Sequence, residues 1–146
     1  MTGHNPSQSV DEETLRYLNQ TFDRRPEVRQ TSLFPANKLE SLIVTLDTDY
    51  YPEHIDAVSI DLRTYTNGDF HVSYLESYLG EQRQCRWDRH DQPHNSRDHF
   101  HPLPDASTAA AVDRTYAPDL TQVVKKAVLP WVNDMVGELW ESTATD

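Results

Sequence analysis

Cysteine, glycine and lysine are all scarce in this chain. Its 146 residues include one cysteine, Cys85. A lone thiol excludes an internal disulfide framework and any zinc site built on two thiolates. Only four glycines are present, and none forms a glycine-rich phosphate loop. No apolar run approaches the ~20 residues of a membrane-spanning helix. The opening stretch, Met1 to Ser9, is polar and lacks the apolar segment of a signal peptide. A cytoplasmic protein with no membrane partner is therefore expected. Lysine occurs three times against ten arginines, the net charge is -11 and the sequence pI is about 4.9. An acidic, lysine-poor surface rich in Asp and Thr fits a salt-rich, halophilic cytoplasm, where screening acts within about 3 Å at 1 M salt. It equally fits an ordinary acidic cytosolic protein. Either way, the overall charge disfavours generic binding to nucleic acid or anionic membranes.

The hydrophobic content, 36% with 10% aromatic, supports one core. A chain of this length is read as a single domain that buries about two-thirds of its unfolded surface. Residues 1–8 read as disordered. Ser9 and Glu12 match a capping box for a helix over about 10–23, in which Leu15, Leu18 and Phe22 share a face and Pro26 follows the end. Residues 24–38 read as an irregular connection. From about residue 40 the period changes to two: Leu42, Val44 and Leu46, then Val58, Ile60, Leu62 and Thr64. Asn67-Gly68 signals a two-residue hairpin, which would set Tyr65 opposite Phe70, Arg63 opposite Val72 and Ile60 opposite Leu75. In that register Tyr65, Phe70, Tyr74 and Tyr78 share an aromatic face suited to stacking bases or to forming a homo-oligomer interface. Gly80-Glu81 marks a second turn, and Gln82 to Asp88 a last strand. The expected fold class is α+β: a four-stranded antiparallel meander over 40–88, with an N-terminal helix and a long C-terminal helix packed mainly on one face. Leu120, Val123, Val124, Val128, Trp131 and Leu139 place that last helix over about 119–141, kinked or split by Pro130. Residues 105–116 read as a connection holding one short helix at most.

Chemistry concentrates in residues 86–101. Four of the seven histidines fall there, with three arginines and three aspartates. Extended to 83–101, the stretch holds four arginines against three aspartates, a cationic island on an acidic chain. Three readings of this segment, a histidine-rich loop over 89–104, stay open. It is a polar surface loop shaped by Pro93 and Pro102. Or it binds zinc or another late transition metal, with His94, His99 and His101 as ligands. Or it performs metal-independent, cofactor-free acid–base chemistry. Histidine's pKa near 6.5 lets a pair of imidazoles act as acid and base at neutral pH. Cleavage of RNA through its own 2′-hydroxyl needs such a pair and a cation for the phosphate. His94, His99 and His101 are the acid–base candidates, Arg86 and Arg97 the phosphate-binding candidates, and Asp88 the residue that would orient a histidine. Cys85, in a predicted strand, reads as packed rather than reactive.

The same residues resemble the TumE-like toxin family of toxin–antitoxin modules. That family carries an Arg–aromatic–Asp–Asn step, a Pro–His–His step and a closing His–x–His. Arg86-Trp87-Asp88 match the first, with Arg89 in place of Asn. Pro93-His94 match the second, with Asn95 in place of His. His99 and His101 match the third. His90-Asp91-Gln92 read as a local insertion. The resemblance covers about 57–101 and loosely the last helix, so 1–38 read as an addition. It implies a growth-inhibiting toxin that acts on RNA and is held by a cognate antitoxin. The alternative is a non-catalytic interaction or metal-binding protein with a structural histidine-rich loop.

Overall fold

The computed structural model describes residues 9–90 and 97–144. Helix α1 (Glu12–Asp23) leads into strands β1 (Val28–Phe34), β2 (Ser41–Leu46), β3 (Ile55–Thr64), β4 (Phe70–Tyr78), β5 (Glu81–Arg89), β6 (Asp98–His101) and β7 (Val112–Asp113). Helices α2 (Leu120–Val123) and α3 (Leu129–Ala144) follow, joined by a π turn (Val124–Val128). The strands form one sheet in chain order, each antiparallel to its neighbour.

The α+β class and the two terminal helices are as expected, but the meander has seven strands rather than four. The three extra strands have physical reasons to be hidden in the sequence. β1 is an edge strand of mostly polar residues, with no run of buried side chains. β6 is written in histidine and aspartate, and β7 is two residues long. Each is recruited by pairing with a stronger neighbour rather than by its own pattern.

Helix α1 starts two residues later than the capping box suggests, with Asp11 rather than Ser9 as its N-cap. The Asp11 carboxylate accepts from the Thr14 N–H at 3.1 Å and the Thr14 hydroxyl at 2.7 Å. The Ser9 carbonyl instead accepts from the Thr66 N–H, fastening the chain to the β3–β4 hairpin. Leu15, Leu18 and Phe22 are buried, as their spacing predicts. They share a core with Leu120, Val123, Val124, Val128 and Val132 from the C-terminal helices. Pro130 does not end that segment, which runs on as α3 after an interruption by the π turn just before it. The Leu129 N–H reaches back five residues to the Val124 carbonyl. The widened turn just before the proline accommodates a residue that cannot donate. Trp131 then packs edge-on against Tyr74 at 5.0 Å and Trp87 at 5.4 Å, pinning α3 across β4 and β5.

The β3–β4 register decides which face everything else occupies. Thr64 pairs with Phe70, Leu62 with Val72 and Ile60 with Tyr74, one residue away from the two-residue-loop expectation. The Tyr65 N–H bonds to the Asp69 carbonyl, and the Gly68 N–H to the Tyr65 carbonyl. This makes a three-residue loop in which Gly68 takes φ 93°, as a type I turn with a glycine bulge requires. A one-residue slip turns every side chain of the strand over. Phe70, Val72 and Tyr74 therefore go into the core, where all three are buried. A base-stacking or subunit surface made of Phe70 and Tyr74 is excluded. Glu76 turns inward with them and is buried, accepting from the Tyr74 hydroxyl at 2.6 Å and Arg83 Nε at 2.9 Å. Cys85 is buried opposite Tyr74, and burial, with the Glu76 charge, pushes its thiol up, away from thiolate reactivity.

The β4–β5 turn is Leu79-Gly80, with φ of 50° and 80°. Both signs suit the twist of a two-residue hairpin, but a leucine in the left-handed region is strained and this one is largely exposed. Leu79→Asn is expected to raise stability by about 1 kcal/mol, since asparagine tolerates that conformation. The readout is the urea midpoint; an unchanged or lower midpoint would mean the turn carries no strain.

Candidate functional site

Alternation along a strand gives each residue's face, and the register gives its neighbours. The helices pack on the side of Val72, Tyr74 and Trp87, so no helix among the described residues covers the other side of the sheet. One row across that open side reads Arg63, His71, Asp88, His99, Asp113 on consecutive strands β3 to β7. The next row holds Asp61, Ser73, Arg86 and His101. His90, just past β5, sets its ring between those of His71 and His99, at centroid distances of 6.2 and 5.8 Å. Four imidazoles thus surround one carboxylate.

That carboxylate, Asp88, is almost fully buried. His71 Nδ1 lies 2.8 Å from its Oδ1, and Arg86 Nε donates to its Oδ2 at 2.7 Å. His101 Nε2 lies 3.0 Å from the same Oδ2. Burial by itself would raise the Asp88 carboxyl, but the hydrogen bonds and charges of His71 and Arg86 outweigh it and hold the group below the usual aspartate range. His101 is enclosed, with its second nitrogen, Nδ1, 3.3 Å from the Ser107 carbonyl. Both its ring nitrogens therefore face acceptors. His99 Nε2 lies 3.5 Å from Asp113 Oδ1. Burial lowers His90 below the ordinary histidine value, with the His71 and His99 charges acting in the same sense and Asp88 and Asp69 against it. His90 is thus mainly neutral at pH 7, an imidazole able to accept a proton.

Of the residues that the sequence singles out, Asp88, Arg86, His99 and His101 meet here. Arg97 does not. Its Nη2 donates to Asp69 Oδ1 at 2.8 Å, beside the β3–β4 turn at the end of the sheet. His94 lies outside the described residues. Two further histidines join them. His90 falls in what reads as an insertion, yet its ring lies inside the cluster. His71 is seventeen residues before Asp88 and carries no local signal. A three-residue loop after Tyr65, recognised in the sequence, would have turned it to this face. No set of three His, Cys, Asp or Glu side chains among the described residues has a geometry that holds a metal. The rings of His99 and His101, two of the expected ligands, are 6.3 Å apart.

Arg89, where the family pattern has asparagine, points to the opposite face. Its guanidinium forms a paired bridge to Asp98, with Nε to Oδ1 at 2.7 Å and Nη2 to Oδ2 at 2.9 Å. It also donates to the carbonyls of Tyr116, Ala117 and Pro118, each at 3.0 Å, and lies over the Phe70 ring. The clamp holds 114–118 against β6, where the Tyr116 hydroxyl donates to the His99 carbonyl at 2.8 Å. An apolar cavity of about 620 Å³ lies on the helical side, between Phe22, Leu46, Ile60, Leu129 and Val136, and contains none of the histidines.

The Toxin TumE family model matches this chain over residues 16–136. The chain belongs to the TumE toxin family. No curated protein and no solved structure matches it. As a TumE-family toxin it is matched from within α1 to within α3, so the entire sheet is family territory. Residues 16–38, which read as an addition, lie inside the match and contribute α1 and β1. No helix among the described residues is long and apolar enough to cross a membrane.

Proposed function

We propose that this TumE-family toxin inhibits growth by cleaving RNA at the open sheet face. The observation that supports this most is the buried Asp88 carboxylate, which holds Arg86 and histidines on a face that no described helix covers, with His90 and His99 alongside. Transesterification at a phosphodiester needs a base, an acid and a cation. The base takes the proton of the 2′-hydroxyl as O2′ bonds to phosphorus. The bond from phosphorus to O5′ breaks, and the acid gives its proton to O5′. The products are a 2′,3′-cyclic phosphate and a 5′-hydroxyl end. Arg86 spends Nε on Asp88, and its Nη atoms make no hydrogen bond with the described residues. Those donors suit the phosphate charge that grows in the transition state. His90, neutral and close to His99, fits the base. The family also points to an antitoxin partner, and covering this face would silence the site.

The test is single-stranded RNA with purified protein and an analysis of the ends formed. Cyclic phosphate ends are expected, at a rate that EDTA leaves unchanged. His99→Ala is expected to slow cleavage by about 10²- to 10⁴-fold. A wild-type protein that cuts no RNA, or cuts only with added zinc, would overturn the proposal.

A further inference from the structure

We infer that His71 is the imidazole through which Asp88 acts, exchanging a proton with the substrate at Nε2, and that His101 serves only to hold the carboxylate. This rests on the reading of the Asp88 cluster as the reacting centre, and not on RNA as the substrate.

The two histidines that bind Asp88 are built differently. At 2.8 Å from a carboxylate oxygen, His71 Nδ1 must carry the hydrogen, because an ionised carboxylate only accepts. In the neutral ring this leaves Nε2 bare and able to take a proton; once charged, the ring can give it back at the same atom. No described residue hydrogen-bonds to that Nε2. The His71 side chain is 37% exposed, so a substrate on the open face can reach it. His101 shows the reverse: its side chain is 7% exposed, and the Asp88 carboxylate and the Ser107 carbonyl occupy its two nitrogens. A proton relay needs one anchored and one accessible nitrogen, and of the two histidines bound to Asp88 His71 has both.

The surroundings of His71 fit that role. Arg63 is its partner across β3–β4, and the Tyr65 ring lies 6.4 Å away on one side. His90 lies on the other side at 6.2 Å, and Arg86 binds the second oxygen of the same carboxylate. A phosphate over Asp88 would thus meet His71 toward β3 and His99 toward β7, with Arg86 in the adjacent row.

Growth arrest in cells tests this without naming the substrate. His71→Ala is expected to abolish arrest, provided its circular dichroism and thermal midpoint match wild type. On RNA it should lower the rate by about 10²- to 10⁴-fold and remove one limb of the pH–rate profile. His101→Asn should lower the rate but keep both limbs. A long-range proton–nitrogen NMR spectrum of the wild-type protein should show neutral His71 with its hydrogen on Nδ1, so the assignment is tested even if a variant fails to fold. Full growth arrest by a folded His71→Ala protein, or a hydrogen on Nε2 in the neutral ring, would overturn the inference. If His71→Ala loses growth arrest while the wild type cuts no RNA, His71 stands and the RNA reading falls.

Discussion

Arg89→Ala is expected to cost the fold about 3–5 kcal/mol, the scale for removing one partner of a buried ion pair. The side chains of Arg89 and Asp98 are each 10% exposed. Removing the guanidinium takes two hydrogen bonds from the Asp98 carboxylate and withdraws the Arg89 donors from the carbonyls of Tyr116, Ala117 and Pro118. For a domain stable by about 5–15 kcal/mol this is a large share. Urea unfolding of Arg89→Ala, Asp98→Ala and the double variant measures it. The two single losses should sum to more than the loss in the double variant, because either change breaks the same bridge. A cost under about 1 kcal/mol for Arg89→Ala would show that the clamp is ornamental.

The acid limb of stability has a defined sign. Burial pushes the Asp98 carboxyl up, but hydrogen bonds from Arg89 and the Tyr116 N–H, with the charges of Arg89 and Arg97, hold it below its ordinary value. Asp88 is lowered in the same direction. A folded value below the unfolded one means the stabilisation is complete above the unfolded pKa, near 4, and is lost as pH falls through the folded value. The wild-type protein should therefore lose stability steeply below about pH 4. Arg89→Ala should show a shallower slope there, since Asp98 would no longer be held down.

Asp88→Asn is expected to disable the site. The substitution keeps size and shape but replaces one accepting oxygen with a donating amide. If the amide faces Oδ2's position, it meets Arg86 Nε and His101 Nε2, both donors; if it faces Oδ1's, it meets His71 Nδ1. In either orientation one side of the site is repelled or released. Loss of growth arrest is expected, with a fall in rate of about 10²- to 10⁴-fold and retention of the helical and sheet content. A variant within tenfold of wild type would remove Asp88 from the centre of the site.

Much of the fold is legible in local pattern. The α1 stripe, the strands now numbered β2 to β5, the long C-terminal helix and the packed Cys85 all follow from spacing, because a helix or strand repeats its exposure every three to four or every two residues. The motif residues Arg86, Asp88, His99 and His101 are likewise readable as a group. What local pattern does not hold is how strands pair. β1, β6 and β7 are too polar or too short to announce themselves, and they exist because a neighbour offers unpaired backbone. The β3–β4 loop contains three residues rather than two, and that one residue sends Phe70 and Tyr74 into the core and His71 out to the open face. The amino-acid sequence by itself determined α1, β2 to β5, the long C-terminal helix and the grouping of Arg86, Asp88, His99 and His101 in one stretch. The tertiary structure alone decided that His71 and His90 stand beside Asp88 while Arg97 does not, because register is set by loop geometry and cross-strand hydrogen bonds, and no period along the chain records it.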